Sequence, residues 1–500
     1  MNQNYKILLV YPEYPDSFWS FKHALRFISK KAAVPPLGLI TVSAMLPSTW
    51  QKKLVDMNVT SLKAKDIQWA DYVFISAMYI QKESVDYVIG ECVKQGVKIV
   101  AGGPLFTQEY QNYTQIDHLI LNEAEITLPL FLNDLNEGHP EKIYKTTEFQ
   151  DITHTPVPDF QLLSRKNYAF MNIQVSRGCP FSCEFCEITS LFGHKVRMKS
   201  TEQILNELEK LYELHWRGNV FVVDDNFIGN KNAIKHDLLP AMKQWMQERN
   251  YPFVFNTQAS INLADDDELM KLMTETGFNS VFIGIETPEE NSLKECNKVQ
   301  NKNQNLIQSI KKIQQAGMQV AGGFIVGFDS DSPSVFQRQV DFIQQSGIVS
   351  AMVGLLNAPK NTQLYDRLKA EDRLTSITSG NNTDLSMNFV PRMNYNDLIV
   401  GYKKIIRDIY TTKPYYKRIR RLLLNYKPRN TKPASINFAT LIAFFKSIFI
   451  IGVINKGRSN YWKLMIWTLF RRPGSMVDAI TYTIYGYHYR TVYGLRDKKY

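Results

Sequence analysis

The sequence predicts an α/β protein: a doubly wound, Rossmann-like parallel sheet, a second parallel strand–helix layer, and a mainly helical C-terminal region. Short apolar runs alternate with helical stretches over residues 1–145, and again over 167–370. Continuous apolar strands separated by helices are buried on both faces, which means parallel pairing. Between the two runs, 146–166 carries Pro156 and Pro158 with little periodicity and reads as a linker. Beyond residue 370 the alternation stops, and 371–500 is expected to be a basic helical domain. With 44% hydrophobic and 21% charged residues, the chain can supply a packed core to each of these parts.

The first domain opens with a strand over 6–11 (KILLVY), ended by Pro12. Further strands are expected at 53–57, reaching Asp56, and at 71–77, 98–101 and 118–121, with a helix over 82–95. In doubly wound sheets ligands sit at the carboxyl ends of strands. Here those ends carry Ser76, Ala77, Gly102 and Gly103, small residues that let a large flat ligand approach the backbone. Asn122-Glu123-Ala124-Glu125 follows the fifth strand. In the second layer, strands are expected at 172–176, 219–223, 253–257, 280–285, 319–326 and 351–356. The helices between them include 201–214, 266–276, 303–316 and 334–346. Six repeats are too few for a full eight-fold barrel. Residues 397–410 look helical, 415–424 is basic and amphipathic, and 436–454 is apolar with Lys446 at its centre.

Chemistry concentrates in Val175-Ser176-Arg177-Gly178-Cys179-Pro180-Phe181-Ser182-Cys183-Glu184-Phe185-Cys186. Three of the five cysteines, Cys179, Cys183 and Cys186, fall within eight residues as C-x3-C-x2-C. Buried structural cysteines would be scattered. Thiolates hold iron–sulfur clusters, and four would close a cubane. Three leave one iron open, as catalytic metal sites leave a position for something other than protein. A zinc site would need a fourth ligand, for which His194 is the candidate. Cys92 and Cys296 stand alone and are expected to be core or surface thiols. Clustered rather than paired cysteines fit a reducing cytoplasm, and the first residues run into a strand without a secretory pattern.

With Phe185 before the last cysteine and Arg177-Gly178 before the first, this segment resembles the radical S-adenosylmethionine (SAM) superfamily. There, the open iron of a [4Fe–4S] cluster takes the amino and carboxylate groups of SAM. The resemblance implies that the second domain is a partial (β/α)6 TIM-type barrel, whose site gathers at the carboxyl ends of its strands. Strand two ends in Asp224-Asp225-Asn226, the position that holds the SAM amino group in the superfamily; a carboxylate or amide suits an ammonium. Strand three ends in Gln258-Ala259-Ser260, with Gln258 and Ser260 as partners for the SAM carboxylate. On the same implication Glu286 takes the ribose hydroxyls and the strand around Ile325 flanks the adenine. Taken singly, each could be a solvated loop residue; their order after the cysteines joins them. The chemistry implied is one-electron cleavage of SAM to a 5′-deoxyadenosyl radical that removes hydrogen from an unactivated carbon. It also implies an external electron donor such as flavodoxin or ferredoxin.

A doubly wound sheet ahead of such a barrel looks like a cobalamin-binding domain. Pro35-Pro36-Leu37-Gly38-Leu39, Gly102-Gly103-Pro104 and the Glu123/Glu125 turn resemble that family, which makes Ser76, Gly102, Gly103 and Glu123 candidate cofactor contacts. The D-x-H-x-x-G motif, which supplies a lower histidine ligand to cobalt, is absent; Tyr11-Pro12-Glu13-Tyr14-Pro15 follows the first strand instead, and His23 is expected to be a helix residue. That absence is common among cobalamin-dependent radical SAM methyltransferases. The stretches 11–19 (YPEYPDSFW), 55–59 (VDMNV), 72–78 and 224–229 (DDNFIG), with the basic, Tyr-rich C-terminal region, resemble one subgroup over nearly the whole chain. It includes the hopanoid 2-methylases and bacteriochlorophyll side-chain methyltransferases. Methylation of an unactivated carbon on a hydrophobic, hopanoid-, tetrapyrrole- or lipid-like small molecule is implied. One SAM methylates cobalamin and a second yields the radical. Such motifs specify machinery and leave the substrate open.

Three other readings use some of the same residues. A cobalamin-dependent cyclase or rearrangement enzyme would share the cofactors without methyl transfer. A corrinoid or cluster-binding carrier or sensor would lack the polar strand ends. Methylthiotransferases carry three N-terminal cysteines, where only Cys92 stands here.

Charge is uneven. Residues 401–500 hold 21 Lys and Arg against three Asp and Glu, a net +18; against +11 for the whole chain, this leaves −7 for the first 400. The asymmetry points to an acidic partner surface. Two readings compete: a lipid-facing cap on anionic membrane, or a helical domain packed on the barrel with its cations solvated. Residues 436–454 are not expected to span a bilayer, because Lys446 would sit mid-membrane at a cost of about 2.5 kcal/mol or more. No recognised motif accompanies the charge, so no nucleic-acid partner is expected. The expected location is cytoplasmic, with membrane-peripheral contact on the first of these two readings.

Overall fold

The computed structural model describes residues 4–375, 379–381, 383–428 and 438–495. Residues 1–3, Asn382 and the first two positions of the apolar stretch 436–454 lie outside them. The chain forms two compact units. The first comprises 1–15, 31–178 and 191–217; the second comprises 16–30, 179–190 and 218–500.

The first unit is built on β1 (Lys6–Tyr11), β2 (Gln51–Asp56), β3 (Tyr72–Ser76), β4 (Lys98–Gly102), β5 (His118–Ile120) and β6 (Ile143–Tyr144). All pair parallel, in the order β2-β1-β3-β4-β5-β6. Alternate residues feed two cores. Leu8, Val10, Val73 and Ile75 pack with Val85, Val88 and Cys92 of the helix Lys82–Gln95. Ile7, Leu9, Phe74 and Val100 pack with Leu128 and Phe131 of the helix Ala124–Glu137. This two-sided burial is why the strands read as unbroken apolar runs. β6 is two residues long at the sheet edge, too short to leave such a signal. The chain winds one way from β1 to β2 and the other way from β3 onward, so the topological switch lies between β1 and β3.

Residues 146–166 form no long element, yet they are packed. Ile152, Phe160 and Leu163 are buried, and the Asp159 carboxylate accepts from Ser43 Oγ at 2.8 Å and pairs with Lys52 Nζ at 3.2 Å. The strand expected over 172–176 is two short ones, β7 (Met171–Ile173) and β8 (Ser176–Arg177); β8 pairs antiparallel with β9 (Arg197–Met198).

In the second unit, β10 (Gly218–Val222), β11 (Phe253–Gln258), β12 (Phe278–Glu286), β13 (Gln319–Val326) and β14 (Ala351–Leu355) run parallel, each beside the next in sequence. Right-handed crossovers that always step the same way put the connecting helices on one face. The helices Leu239–Glu248, Asp267–Thr276, Leu306–Ala316 and Val335–Ser346 occupy these connections, and their apolar faces are buried. The C-terminal region is helical, as expected. Tyr395–Tyr410 and Thr412–Asn425 are followed by Phe438–Ser447 with a π-helical continuation Ile448–Ile454, then Arg458–Arg471 and Met476–Val492. Its core is aromatic: Tyr402, Tyr410, Tyr415, Tyr461 and Tyr489 are buried. Arg418 is buried among them, donating to the carbonyls of Ile409 at 2.9 Å and Val349 at 3.2 Å. Residues 16–30 fold with this unit. Phe18 stacks on Tyr489 at 4.3 Å, and His23, on the helix Lys22–Leu25, pairs with Asp16 at 3.0 Å. No helix among the described residues is long and apolar enough to cross a membrane.

Candidate active site

One-sided winding leaves the other face of β10–β14 available. Residues in register across a parallel sheet share a face. Gln258 pairs with Phe282, Gly284 with Gly323, Gly323 with Met352, and Ile325 with Gly354. Gln258, Phe282, Gly284, Ile325 and Met352 are all half-buried, while their neighbours on the helix side are buried. The two adjacent glycines make room for side chains of the unit itself: a Cβ on Gly284 would strike the Glu286 carboxylate and lie 2.9 Å from Lys298 Nζ, and one on Gly323 would lie 2.8 Å from the Phe282 ring. Trp19 lies against this face, edge-on to Phe282 at 5.3 Å with its Nε1 3.0 Å from Met352 Sδ. It is an apolar floor with polar ends.

The polar ends are stitched together. Asn226 Oδ1 accepts from Ser260 N at 3.1 Å and from Ser260 Oγ at 3.3 Å; Phe227 N donates to Gln258 O at 2.9 Å. Asp224 is buried and Asp225 half-buried on the same loop. Glu286 is buried at the end of β12 with a left-handed backbone, φ 64°, where the register with β13 shifts. A non-glycine residue held there marks strain worth a functional question. Its Oε1 accepts from Lys298 Nζ at 2.7 Å. Burial works against the Lys298 charge, but Glu286 and Cys183 outweigh it and hold this ammonium above its ordinary pKa.

The cysteine loop sits in a polar clamp. Gly178, at φ 90°, precedes it; a Cβ there would lie 2.6 Å from Lys195 O, so only glycine fits. Glu184 N donates to Cys296 O at 3.0 Å, Asn297 Nδ2 to Ser182 O at 3.0 Å, and Gln300 Nε2 lies 3.8 Å from Cys183 Sγ. The Glu184 carboxylate takes Arg367 through two bonds, at 2.6 and 3.1 Å. Arg367 also reaches Asp329 at 3.0 Å, and Arg373 grips Asp329 at 2.6 Å. The ring of Phe185 lies 6.3 Å from that of Phe328.

Burial pushes the Cys179 and Cys186 thiols up, Cys186 to about 12. Each lies within electrostatic reach of Cys183 and Lys298, and Cys179 also of Asp225. Three converging thiols beside a cation form a donor set that fits an anionic iron–sulfur cubane. Among the described residues no group of three or more His, Cys, Asp or Glu could hold a metal ion; in a cubane each thiolate takes a different iron. Beside this loop, Gln300 Oε1 is buried without a hydrogen-bond partner, as a polar atom awaiting a ligand would be.

In the first unit, Ser76, Gly102 and Gly103 converge. Ser76 is in register with Gly102, and a Cβ on Gly103 would lie 2.9 Å from Ser76 Oγ and 3.2 Å from Ala77 O. A Cβ on Gly102 would lie 2.6 Å from Ile120 O, so both glycines are required by the chain's own packing. Together they keep the carboxyl edge a low backbone shelf beside the switch point, which would present backbone to a flat ligand of cobalamin's kind. Glu123 is occupied differently. Its two oxygens take both Arg197 Nη atoms, at 2.7 and 2.9 Å, and Gln150 N at 2.7 Å. The neighbouring Glu125 takes Arg177 at 2.7 and 3.1 Å.

Sequence reasoning did not single out Lys298, Arg367, Arg373, Asp329, Asn297 or Gln300. Single charged or amide residues in loops and helices have no motif to announce them. Trp19 was noticed only as part of a resembling stretch.

Residues 173–343 match the model of the radical SAM superfamily, and residues 362–499 match a domain of unknown function (DUF4070). The chain is 41% identical over 490 residues to an uncharacterized methyltransferase of Synechocystis sp., covering 97% of this chain and 91% of that protein. It is 30% identical over 495 residues to the hopanoid C-2 methylase of Rhodopseudomonas palustris, covering 97% and 92%. The solved structure of the cobalamin-dependent S-adenosylmethionine radical enzyme OxsB, with aqua-cobalamin bound, shares the fold. Its TM-score is 0.63 over 98% of this chain and 79% of that one, at 15% identity.

Proposed function

The chain belongs to the cobalamin-dependent radical SAM methyltransferases, and on that premise we propose that it methylates an unactivated carbon of a hydrophobic small molecule, hopanoid-, tetrapyrrole- or lipid-like. The observation that carries the substrate class is the apolar floor of Trp19, Phe282 and Met352 beside the polar strand ends. A flat, water-poor surface favours a ring system with few polar groups.

Each strand end has a role in this reading. Cys179, Cys183 and Cys186 hold the cluster, with Phe185 beside it. Asp224, Asp225 and Asn226 receive the SAM ammonium, Gln258 and Ser260 its carboxylate, and Glu286 its ribose hydroxyls, while Ile325 lies under the adenine. Ser76, Gly102 and Gly103 form the cobalamin shelf; Glu123, held by Arg197, orders the turn behind it. When bound, the cluster supplies the electron that cleaves SAM, and cobalamin supplies the methyl group. The domains are read as 1–145 for cobalamin, 146–166 as connection, 167–370 for SAM chemistry and 371–500 as a basic helical cap. An external donor such as flavodoxin or ferredoxin provides the electron. The setting is the cytoplasm, with peripheral contact on anionic membrane.

Anaerobic reconstitution with iron, sulfide and hydroxocobalamin tests this. Cluster and cobalamin absorption bands are expected, together with 5′-deoxyadenosine and S-adenosylhomocysteine under reductant. Methyl-deuterated SAM incubated with lipid and pigment extracts should pass its label to an apolar product. Deoxyadenosine without S-adenosylhomocysteine would turn the assignment to a cyclase or rearrangement; failure to take up cobalamin would refute the shelf.

A further inference from the structure

Two helices of the second unit carry an uncovered apolar face. Leu441, Phe445, Phe449 and Val453 recur at every fourth position and are 42–61% exposed. That spacing sets them on one face of the first helix, while Ala443, Ser447 and Ile451 point inward and are buried. In the next helix Tyr461, Leu464 and Met465 are buried, and Trp462, Ile466, Leu469 and Phe470 are exposed, Phe470 to 79%. The helices touch at Gly452. There Trp462 Nε1 donates to Gly452 O at 2.9 Å, and a Cβ would stand 2.9 Å from the Tyr461 ring. Contiguous exposed side chains of this size mark an interaction surface.

Charge selects the partner. Residues 438–472 contain Lys446, Lys456, Arg458, Lys463, Arg471 and Arg472, and no Asp or Glu. Lys456, Arg458, Lys463 and Arg471 are exposed. A second copy of the chain would set these cations against their own kind. A neutral apolar protein surface would leave them unanswered. We propose that this helical pair lies in the interface of an anionic lipid bilayer, with its apolar face below the headgroups and its cations at the phosphates. The pair lies in the plane of the bilayer. Its first helix and π-helical continuation count 10 and 7 residues, short of the roughly 20 a span needs. Midway along it, Lys446 turns to the protein, donating to Arg26 O at 2.8 Å and Ser29 Oγ at 3.2 Å. The inference deepens the peripheral contact proposed above and rests on that reading. Docking here would bring the enzyme to the phase in which a lipophilic substrate dissolves.

The test is cosedimentation of the full-length protein with vesicles of phosphatidylcholine alone or mixed with phosphatidylglycerol. Binding is expected on the anionic vesicles, weakening with salt. It should fall about tenfold in the double variant Phe445→Glu, Phe470→Glu, whose side chains are exposed. Circular dichroism and thermal melting check that the variant stays folded. Equal recovery of wild type and variant, or of the two vesicle types, would overturn the proposal. So would a soluble dimer that the variant dissociates without any lipid binding. SAM product formation is read separately in detergent. Vesicle binding without methyl transfer would refute the substrate reading alone; methyl transfer without vesicle binding would refute the docking alone.

Discussion

Glu286 and Lys298 share one short ion pair at the end of β12, both nearly buried, and Glu286 holds a backbone conformation that side chains avoid. Breaking one partner of such a pair leaves the other charge exposed to a low dielectric. On the proposal that Glu286 takes the ribose hydroxyls, Glu286→Gln should raise the KM for SAM about tenfold, as expected for loss of a charged hydrogen-bond acceptor. Cluster absorption should stay intact and kcat should move less. An unchanged KM would assign Glu286 a structural role. At this scale the cysteines were legible because their chemistry demands clustering within a short loop. Glu286 was legible because it ends an apolar strand. Arg367 was not. It meets Glu184 across 183 residues of sequence, and nothing local to position 367 announces a partner on the cysteine loop.

At the scale of elements, strands and helices were readable to within a few residues because burial imposes periods of 2 and 3.6 on the sequence. The helix 82–95 and the strand 319–326 fall where the pattern put them. The strand expected at 172–176 breaks in two, with Gln174 and Val175 between the pieces. The helix Met476–Val492 offers a test of how its first turn is anchored. Asp478 Oδ1 accepts from Gln319 Nε2 at 2.8 Å, and Tyr482 OH donates to Gln319 Oε1 at 2.6 Å. Burial raises the Asp478 pKa to about 6, only partly offset by that Gln319 bond. Unfolded, the same carboxyl titrates near 3.9, so its contribution is fully present below about pH 4 and lost as the pH rises through 6. Asp478→Asn has no proton to lose. Thermal melts should therefore show the variant gaining on wild type between pH 4 and pH 7, by roughly 2–3 kcal/mol. A gap that does not change with pH would mean that Asp478 stays ionised in the folded protein.

For the molecule as a whole, two units each own a core, and the residues proposed for each cofactor lie within one unit. Stability should follow that division. Arg197 closes the first unit by pairing with Glu123, at 11% and 2% side-chain exposure, and by donating to the carbonyls of Gln150 and Phe192. Arg197→Met should cost about 2 kcal/mol, because it leaves the buried Glu123 carboxylate with only Gln150 N and the more distant Arg177 Nη1 at 3.6 Å. Differential scanning calorimetry should show the first unit melting earlier and the second unmoved; equal shifts in both would mean that they unfold together. What the sequence determined by itself was what repeats locally: two strand–helix alternations, a three-thiol loop, a run of polar strand ends in order, and a cationic C-terminal hundred residues. Such features are written in neighbouring residues, because hydrophobic period and ligand spacing are short-range constraints. Only the tertiary structure decided which side chains converge on the cysteine loop, that Glu123 answers to an arginine, that residues 16–30 fold with the second unit, and that the apolar stripe of the cationic helices faces outward. These depend on contacts between segments far apart in the chain, and a linear pattern holds no record of which of its faces the rest of the fold will cover.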